Sequence, residues 1–260
     1  MSGQKTIAFL FLTVRNHKQS DLWFEFFESH ADQYKAYLHA KHRDSILDPW
    51  WRRFLIEKYV PTSWGKISIV RAVMALLEAA LKEPGNERFV LVSDSCVPIK
   101  PFSVIRDTLF AEKRGRMSWQ KAADMANQRR AMRMRLAIGI AKENWIYHEQ
   151  WIALTREIAE WFVDHDRTWA FEQVSVPDEC YFGSILSSAG FDLETTVLNT
   201  PLTHTDWLSP RKIMSGPYVY EKMNSLELAK LKQSECLIAR KFSAESDIKK
   251  YNLHIMSGSP

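Results

Sequence analysis

The feature that most constrains the fold is a continuous apolar run near the N-terminus, from Ile7 to Thr13. An apolar run without polar alternation is typical of a strand that is buried on both faces of a parallel sheet. The run is about half as long as a membrane-spanning helix requires, and it lacks the small-residue cleavage site of a signal peptide. We therefore expect a cytoplasmic protein with no transmembrane segment.

Strand and helix patterns alternate along the rest of the chain. The patterns predict further strands at residues 34–39, 88–92, 151–154 and 193–198. They predict helices at residues 67–81, 103–112, 156–163 and 226–231. Two further helices are predicted, one capped at its start by Ser20-Asp21 and one with the acids Asp178-Glu179 in its first turn. The alternation predicts an α/β fold, a three-layer sandwich with a mostly parallel central sheet. Since there is no repeat and no low-complexity linker, we expect a single domain over residues 1–260.

Ligands of such folds bind outside the carboxyl ends of the strands. That rule places residues 13–16, 39–43 and 93–96 around one crevice. The segment after the first strand contains no glycine, which argues strongly against a dinucleotide-binding fold or a P-loop. Ser93-Asp94-Ser95 follows a strand end, where short polar residues either contact a ligand or form a plain turn.

The charge distribution points to anionic ligands. The formal net charge is +4, and residues 113–142 hold nine Lys or Arg against one Asp. One interpretation is a non-catalytic protein that binds nucleic acid or another polyanion through this segment. The segment matches no motif of nucleic-acid-binding proteins and has no aromatic residue between Gln120 and Ala141. We therefore favour a basic loop that faces an anionic substrate, and we expect no nucleic-acid partner.

Cysteine and metal-ligand patterns are both weak. Three cysteines lie far apart, with neither a disulfide framework nor zinc spacing, which favours a reducing compartment. His39 and His42 lie across a strand end and would not share a face as on a helix. Asp164-His165-Asp166 follows a predicted helix rather than a buried strand. We therefore expect no metal or other cofactor, and no Gly-x-Ser-x-Gly nucleophile is present.

Eight short segments occur in a characteristic order. The most specific is Arg88 to Pro98 followed by Pro101-Phe102, and another is Pro177-Asp178-Glu179 with Tyr181-Phe182. The others are residues 7–13, 22–27, 37–39, 64–68, 149–156 and 237–242. Together they resemble the core-2/I-branching glycosyltransferase family, which includes β-1,6-N-acetylglucosaminyltransferases and the related peptide xylosyltransferases.

The resemblance implies a GT-A-like fold and a metal-independent, inverting transfer of a sugar to a glycan or glycolipid acceptor. The donor it implies is a UDP-sugar, with UDP-xylose and UDP-N-acetylglucosamine both open. It maps the catalytic base onto Glu179 and the cation on the donor diphosphate onto Lys241, with Arg211 or Lys212 as a second cation. These roles agree with the chemistry, since inversion needs one base for the acceptor hydroxyl and positive charge at the leaving diphosphate.

The resemblance and the strand-end rule together give two candidate sets of binding residues. The donor set is Thr13, Arg15, His39, Ser93, Asp94, Ser95, Arg211, Lys212, Arg240 and Lys241. The acceptor set is Trp145, Glu149, Gln150, Trp151, Asp178 and Trp207, with Asp178 assigned mainly to a helix cap. We expect a donor-binding half over residues 1–112, an acceptor and catalytic half over 113–245 and a tail over 246–260.

Overall fold

The computed structural model describes residues 4–210 and 216–253. In these ranges the strands are β1 (Thr6–Thr13), β2 (Tyr34–Ala40), β3 (Asn86–Ser93), β4 (Val97–Pro98), β5 (Gly115–Arg116), β6 (Trp119–Lys121), β7 (Ile146–His148), β8 (Ala153–Thr155), β9 (Val197–Leu198), β10 (Thr203–Thr205) and β11 (Ile238–Arg240). The α-helices are α1 (Ser20–Glu28), α2 (Pro49–Arg52), α3 (Ser68–Leu81), α4 (Phe102–Ala111), α5 (Gln128–Met132), α6 (Arg156–Asp164), α7 (Tyr181–Ser188), α8 (Leu193–Thr196) and α9 (Ser225–Gln233).

The central sheet has the strand order β2-β1-β3-β8-β5-β9. Strand β1 runs parallel to β2 and β3, so that Phe9 lies opposite Ala36 on one side and Val90 on the other. Strands β5 and β9 are also parallel, whereas β8 is antiparallel to both of its neighbours. The mostly parallel sheet is confirmed. Strand β1 is an inner strand of this sheet and is buried on both faces, because residues Ile7 to Phe11 are at most 1% exposed.

Two helical layers cover the faces of this sheet. Phe9 and Val90 pack with the apolar sides of α1 and α4 in one buried cluster. Their strand neighbours Leu10 and Leu91 pack with α3, α6 and α7 in a second cluster on the opposite face. Since successive strand residues point to opposite faces, each apolar run contributes side chains to both buried clusters. Each fully buried large apolar side chain contributes roughly 1.5–3 kcal/mol to the free energy of folding. The predicted three-layer α/β sandwich is confirmed.

A small second sheet, with the order β10-β11-β4, joins the end of β3 to the C-terminal part of the chain. Strand β4 begins only four residues after β3 ends, and it pairs antiparallel with β11, Val97 opposite Ala239. The backbone N–H of Phe242 also donates to the carbonyl of Ser95, at 3.0 Å. This pairing brings the cations that end β11 to the carboxyl end of β3.

Several predicted local features are wrong. The expected strand at 193–198 is helical over its first four residues, since Asp192 caps α8 by accepting from the Glu194 N–H at 3.1 Å. Helix α1 has no side-chain cap, because the Ser20 hydroxyl donates to the His17 carbonyl instead. Pro177 opens a single 3₁₀ turn over residues 177–179, and α7 begins only after it.

The three cysteines, Cys96, Cys180 and Cys236, are free and buried. Burial raises the pKa of each thiol, that of Cys180 to about 12. Within residues 4–210 and 216–253, no helix combines the length and apolarity needed to cross a membrane.

Candidate functional site

A cavity of about 670 Å³ opens at the carboxyl ends of β1 and β3. Its walls come from the strand ends, from the loop before α3 and from the segments around β8 and β11; they comprise Leu12, Thr13, Val14, Arg15, Asn16, Lys18, Lys41, Thr62, Ser63, Trp64, Ile69, Ser93, Asp94, Ser95, Gln150, Trp151, Arg240 and Lys241. The strand-end rule therefore located the crevice correctly. Seven of the donor-set residues and two of the acceptor set line it.

The cavity is strongly cationic. Five of its lining residues are basic, and the one acid among them is Asp94; the bases are Arg15, Lys18, Lys41, Arg240 and Lys241. The backbone N–H of Lys18 donates to the Asp94 carbonyl at 2.9 Å, which ties the segment after β1 to the turn after β3. Positive charge concentrated in a concave wall attracts anionic ligands. Lys41 falls within the predicted crevice segment 39–43 but was not among the candidate donor residues, and Lys18 lies just beyond the predicted segment 13–16.

Arg240 is the most buried of these cations. Its guanidinium lies 4.7 Å from the centre of the Trp151 ring, and its Nε is buried with no hydrogen-bond partner among the described residues. Burial lowers the pKa of Arg240, and nearby carboxylates, Glu179 among them, act against that shift. Burial and the charge of Arg240 also lower the pKa of Lys241. An anion bound here would add negative charge beside both cations and oppose the lowering of their pKa values.

The turn after β3 is closed by its own side chains. The hydroxyls of Ser93 and Ser95 lie 3.1 Å apart, and the Ser93 hydroxyl lies 3.2 Å from the Cys96 sulfur. The carboxylate of Asp94 accepts from the Val14 N–H at 3.4 Å. The first two contacts close the turn, and the bond from Val14 connects the end of β1 to it. Thr13 differs, because its buried hydroxyl has no hydrogen-bond partner in the part of the chain that the structure describes.

The turn that carries Asp178 and Glu179 is attached to the rim of this cavity. Val176, just before the turn, has a left-handed backbone with φ of 54° and donates its N–H to the Gly65 carbonyl at 2.9 Å. A positive φ is strained for a β-branched residue, and such strain occurs often at functional sites. Gly65 itself has φ of 68° and follows Trp64, which lines the cavity and is 86% exposed.

Glu179 is held by two arginines of the basic segment. Arg130 and Arg133 both donate from Nη2 to its Oε2, at 2.5 and 2.8 Å. Arg130 also donates to the Tyr147 hydroxyl at 2.8 Å and lies over that ring. The sequence interpretation identified the basic segment but not these partners, because 49 and 46 residues separate the arginines from Glu179 and only the fold brings them together.

Asp178 is not a helix cap. Helix α7 begins after Cys180 and has no side-chain cap, and the Asp178 Oδ1 is buried without a hydrogen-bond partner in the described ranges. Burial raises the pKa of Asp178 to about 6, and the charge of Glu179 acts in the same direction. The predicted capping role is therefore wrong. Asp178 is a buried carboxyl group beside the candidate base, and its Oδ1 accepts no hydrogen bond from the described residues.

Two other predicted site residues lie away from the cavity. His39 is buried inside β2, where its Nε2 accepts from the Val60 N–H at 3.1 Å and its ring stacks on Tyr59. It therefore anchors the segment after α2 instead of lining the donor cavity. Trp145 donates from its indole to the Ile140 carbonyl at 3.1 Å and lines a separate cavity of about 180 Å³.

The remaining predicted residues are distributed around the site. Gln150 and Trp151 line the cavity. Glu149 is half-buried beside them, and burial raises its pKa. Trp207 is half exposed on the loop after β10, and Arg211 and Lys212 lie outside the described residues. Across the described ranges, no three His, Cys, Asp or Glu side chains are grouped so that they could hold a metal ion.

The three-layer sandwich and the cavity at the strand ends place the chain among α/β proteins of the GT-A-like type. Residues 7–232 match the family model described as "Branch: Core-2/I-Branching enzyme", and the chain belongs to that family. It is also 29% identical over 239 residues to "Glycosyltransferase BC10" of Oryza sativa subsp. japonica, an alignment that covers 79% of this chain and 58% of the rice protein. The chain thus spans less than two thirds of the length of that relative.

Proposed function

We propose that the protein is an inverting glycosyltransferase that moves a sugar from a UDP-sugar to a hydroxyl of a glycan acceptor. The observation that carries the proposal is the strand-end cavity, whose walls hold five basic residues against one acid. A nucleoside diphosphate sugar carries a compact double negative charge that suits this excess. Membership in the Core-2/I-Branching enzyme family and the similarity to a plant glycosyltransferase support the same activity.

Lys241 and Arg240 are the proposed diphosphate-binding cations. Both line the cavity and are partly or largely withdrawn from water. A cation in such a position stabilises the charge that develops on the diphosphate as the bond to the sugar breaks. The Trp151 ring packs against the Arg240 guanidinium, whose central carbon lies 4.7 Å from the ring centre.

Glu179 is the proposed general base. As the acceptor oxygen bonds to the anomeric carbon, the carboxylate takes the hydroxyl proton, and UDP leaves from the opposite face with the electron pair of the broken bond. Arg130 and Arg133 occupy the Oε2 atom of Glu179. They fix the carboxylate so that Oε1 is the oxygen presented to the acceptor.

The proposed reaction requires no divalent metal, because basic side chains neutralise the diphosphate. The support is positive: Lys241, Arg240 and Lys18 lie together in the cavity wall, where Asp94 is the one acid among the described lining residues. The donor sugar stays open between xylose and N-acetylglucosamine. Both nucleotide sugars belong in the first assay.

The test is hydrolysis and transfer of UDP-xylose and UDP-N-acetylglucosamine, measured with and without EDTA, together with calorimetric UDP binding. We expect activity to survive EDTA. Lys241→Ala is expected to weaken UDP binding about tenfold or more and to slow turnover, since the charge acts in the ground state and more strongly in the transition state. The exposed Lys250→Ala is the matched control and should behave as wild type.

Two results would contradict the proposal. Loss of activity in EDTA that manganese restores would overturn metal independence and point to Asp94 as a ligand. Unchanged UDP affinity and rate in Lys241→Ala would leave the Arg240-Lys241 pair as surface charge without a role in the donor site.

A further inference from the structure

A further cavity, of about 420 Å³, lies on the basic segment near Glu179. It is lined by Gln128, Arg129, Met132, Arg133, Arg135 and Leu136. The volume falls in the range of roughly 300–1,000 Å³ that is usual for small-ligand sites. We call it the arginine cavity. It shares no lining residue with the strand-end cavity.

The arginine cavity has an excess of positive charge. Arg129 and Arg135 are exposed, and neither forms an ion pair with an acid in residues 4–210 or 216–253. Arg133 is the exception, because its Nη2 binds Glu179 while its Nε is buried without a hydrogen-bond partner among the described side chains. Its side chain is only 16% exposed. Three cations thus surround the cavity, and one of them also holds the proposed base.

The lining also has the mixed character that a charged sugar requires. Guanidinium groups match carboxylate, phosphate and sulfate oxygens with paired hydrogen bonds. Met132 and Leu136 are 42% and 44% exposed, and they give the cavity an apolar wall for the carbon face of a sugar ring. The Gln128 Nε2 already donates to the Ala123 and Met125 carbonyls, so its side-chain oxygen is the atom that can accept from a sugar hydroxyl.

We propose that the arginine cavity binds an oxyanion on the acceptor, carried by a sugar next to the one that is glycosylated, so that the acceptor is an acidic glycan. This inference rests on the proposed function. The connecting residue is Arg133, which lines the cavity and contacts Oε2 of Glu179. An anion bound there lies one side chain away from the base, and it places the neighbouring hydroxyl at the carboxylate.

The test measures binding of three probes to the full chain by calorimetry: a glucuronic-acid-terminated disaccharide, the same disaccharide ending in neutral glucose, and a sugar phosphate. We expect the acidic disaccharide to bind about tenfold or more tightly than the neutral one, with the preference falling as salt is added. The tighter of the carboxylate and phosphate probes identifies the source of the oxyanion.

The variant is Arg129→Gln with Arg135→Gln, since neither arginine touches Glu179 or the strand-end cavity. It should lose the preference for the acidic probe and retain wild-type UDP-sugar hydrolysis and UDP affinity. Lys121→Gln is the matched control. This residue belongs to the same basic segment but does not line the arginine cavity.

Equal binding of the acidic and neutral disaccharides would overturn the proposal. So would tighter binding of a single-stranded oligonucleotide that the double variant abolishes, because the segment would then be a nucleic-acid site. If wild-type protein fails to hydrolyse any UDP-sugar but still prefers the acidic probe, the glycosyltransferase assignment fails and the acceptor role with it. Hydrolysis without an acidic preference would overturn this inference alone.

Discussion

Asp178 and Glu179 are adjacent in the chain but differ in how their charges are compensated. Glu179 accepts hydrogen bonds from two guanidinium groups, whereas the Asp178 Oδ1 is buried without a partner in the described ranges. The difference arises because consecutive residues of a tight turn point in different directions. Substitutions of the two side chains are therefore expected to have different, measurable effects.

Glu179→Gln tests the proposed base. Glutamine keeps the shape and much of the hydrogen bonding to Arg130 and Arg133 but cannot take the acceptor proton. We expect transfer to fall roughly 100-fold or more while UDP-sugar affinity stays within a few-fold. Single-turnover transfer and calorimetric binding measure the two effects. The control is Glu172→Gln, whose carboxylate pairs with Arg71; near-normal transfer by Glu179→Gln would move the base elsewhere.

Asp178→Asn should change the pH dependence of stability. Since burial raises the Asp178 pKa to about 6, the native state holds a proton between about pH 4 and pH 6 that the unfolded chain has released. The resulting stability is present below about pH 4 and is lost as pH rises through about 6. We expect Asp178→Asn to raise the free energy of unfolding by roughly 1–3 kcal/mol at alkaline pH and by little in acid.

Urea unfolding across this pH range measures the effect. An equal gain at both ends of the range would mean that the carboxyl group is not protonated on folding. Unlike Glu179→Gln, Asp178→Asn is expected to change stability and not transfer. If Asp178→Asn abolished transfer and Glu179→Gln did not, Asp178 would be the base in place of Glu179.

Helix α7 is packed unusually closely against β7. A Cβ atom built at Gly183 would lie 2.6 Å from Cγ2 of Ile146, and the hydroxyl of Ser184 donates to the Ile146 carbonyl at 3.2 Å. Gly183→Ala is therefore expected to destabilise the protein by about 1–3 kcal/mol, although alanine favours helices more than glycine does.

Chemical denaturation measures this cost. The control is Gly216→Ala, where an added Cβ meets nothing within 4 Å and stability should change little. A more stable Gly183→Ala variant would show that helix propensity outweighs the contact and that β7 can move away from α7.

The accuracy of the sequence-based elements depended on their length. Strands β1 and β3 and helices α3 and α6 were predicted to within about two residues, because β1 and the two helices have long apolar patterns and β3 has an unbroken apolar run from Phe89 to Val92. Residues 193–198 failed because four residues carry too little periodicity to distinguish a helical turn from a strand. The local cap at Asp192 decided the outcome.

Site residues were predictable where position along a strand determined them. Thr13 is the last residue of β1, Asp94 follows the last residue of β3, and both line the cavity. His39 is still inside β2, opposite Leu12, so its side chain stays in the interior. The pairing of Glu179 with Arg130 could not be predicted, because it depends on how the basic segment folds back towards the turn over residues 177–179.

At the scale of the whole molecule, buried histidines should make the protein sensitive to acid. Burial lowers the pKa of His17 to about 3 and that of His148 to about 4. Between about pH 6.5 and these values the unfolded chain takes up protons that the native state refuses, so stability falls as pH falls. At pH ~5 each histidine costs about 2 kcal/mol, and proton uptake by Asp178 offsets part of the loss.

The measurement is the free energy of unfolding in urea as a function of pH. His148→Gln should make the decline shallower, because one of the buried histidines with a strongly lowered pKa is gone. A profile that is flat between neutral and mildly acidic pH would contradict the expectation and imply that these histidines gain protons without unfolding.

The burial of all three thiols has a practical consequence for the redox chemistry of the protein. Disulfide exchange and alkylation both require an accessible thiolate, and Cys96, Cys180 and Cys236 offer none because each is enclosed and has a raised pKa. The three thiols of the folded chain are therefore expected to resist disulfide exchange and alkylation. A single cysteine added to its surface can carry a label with the native three left in place.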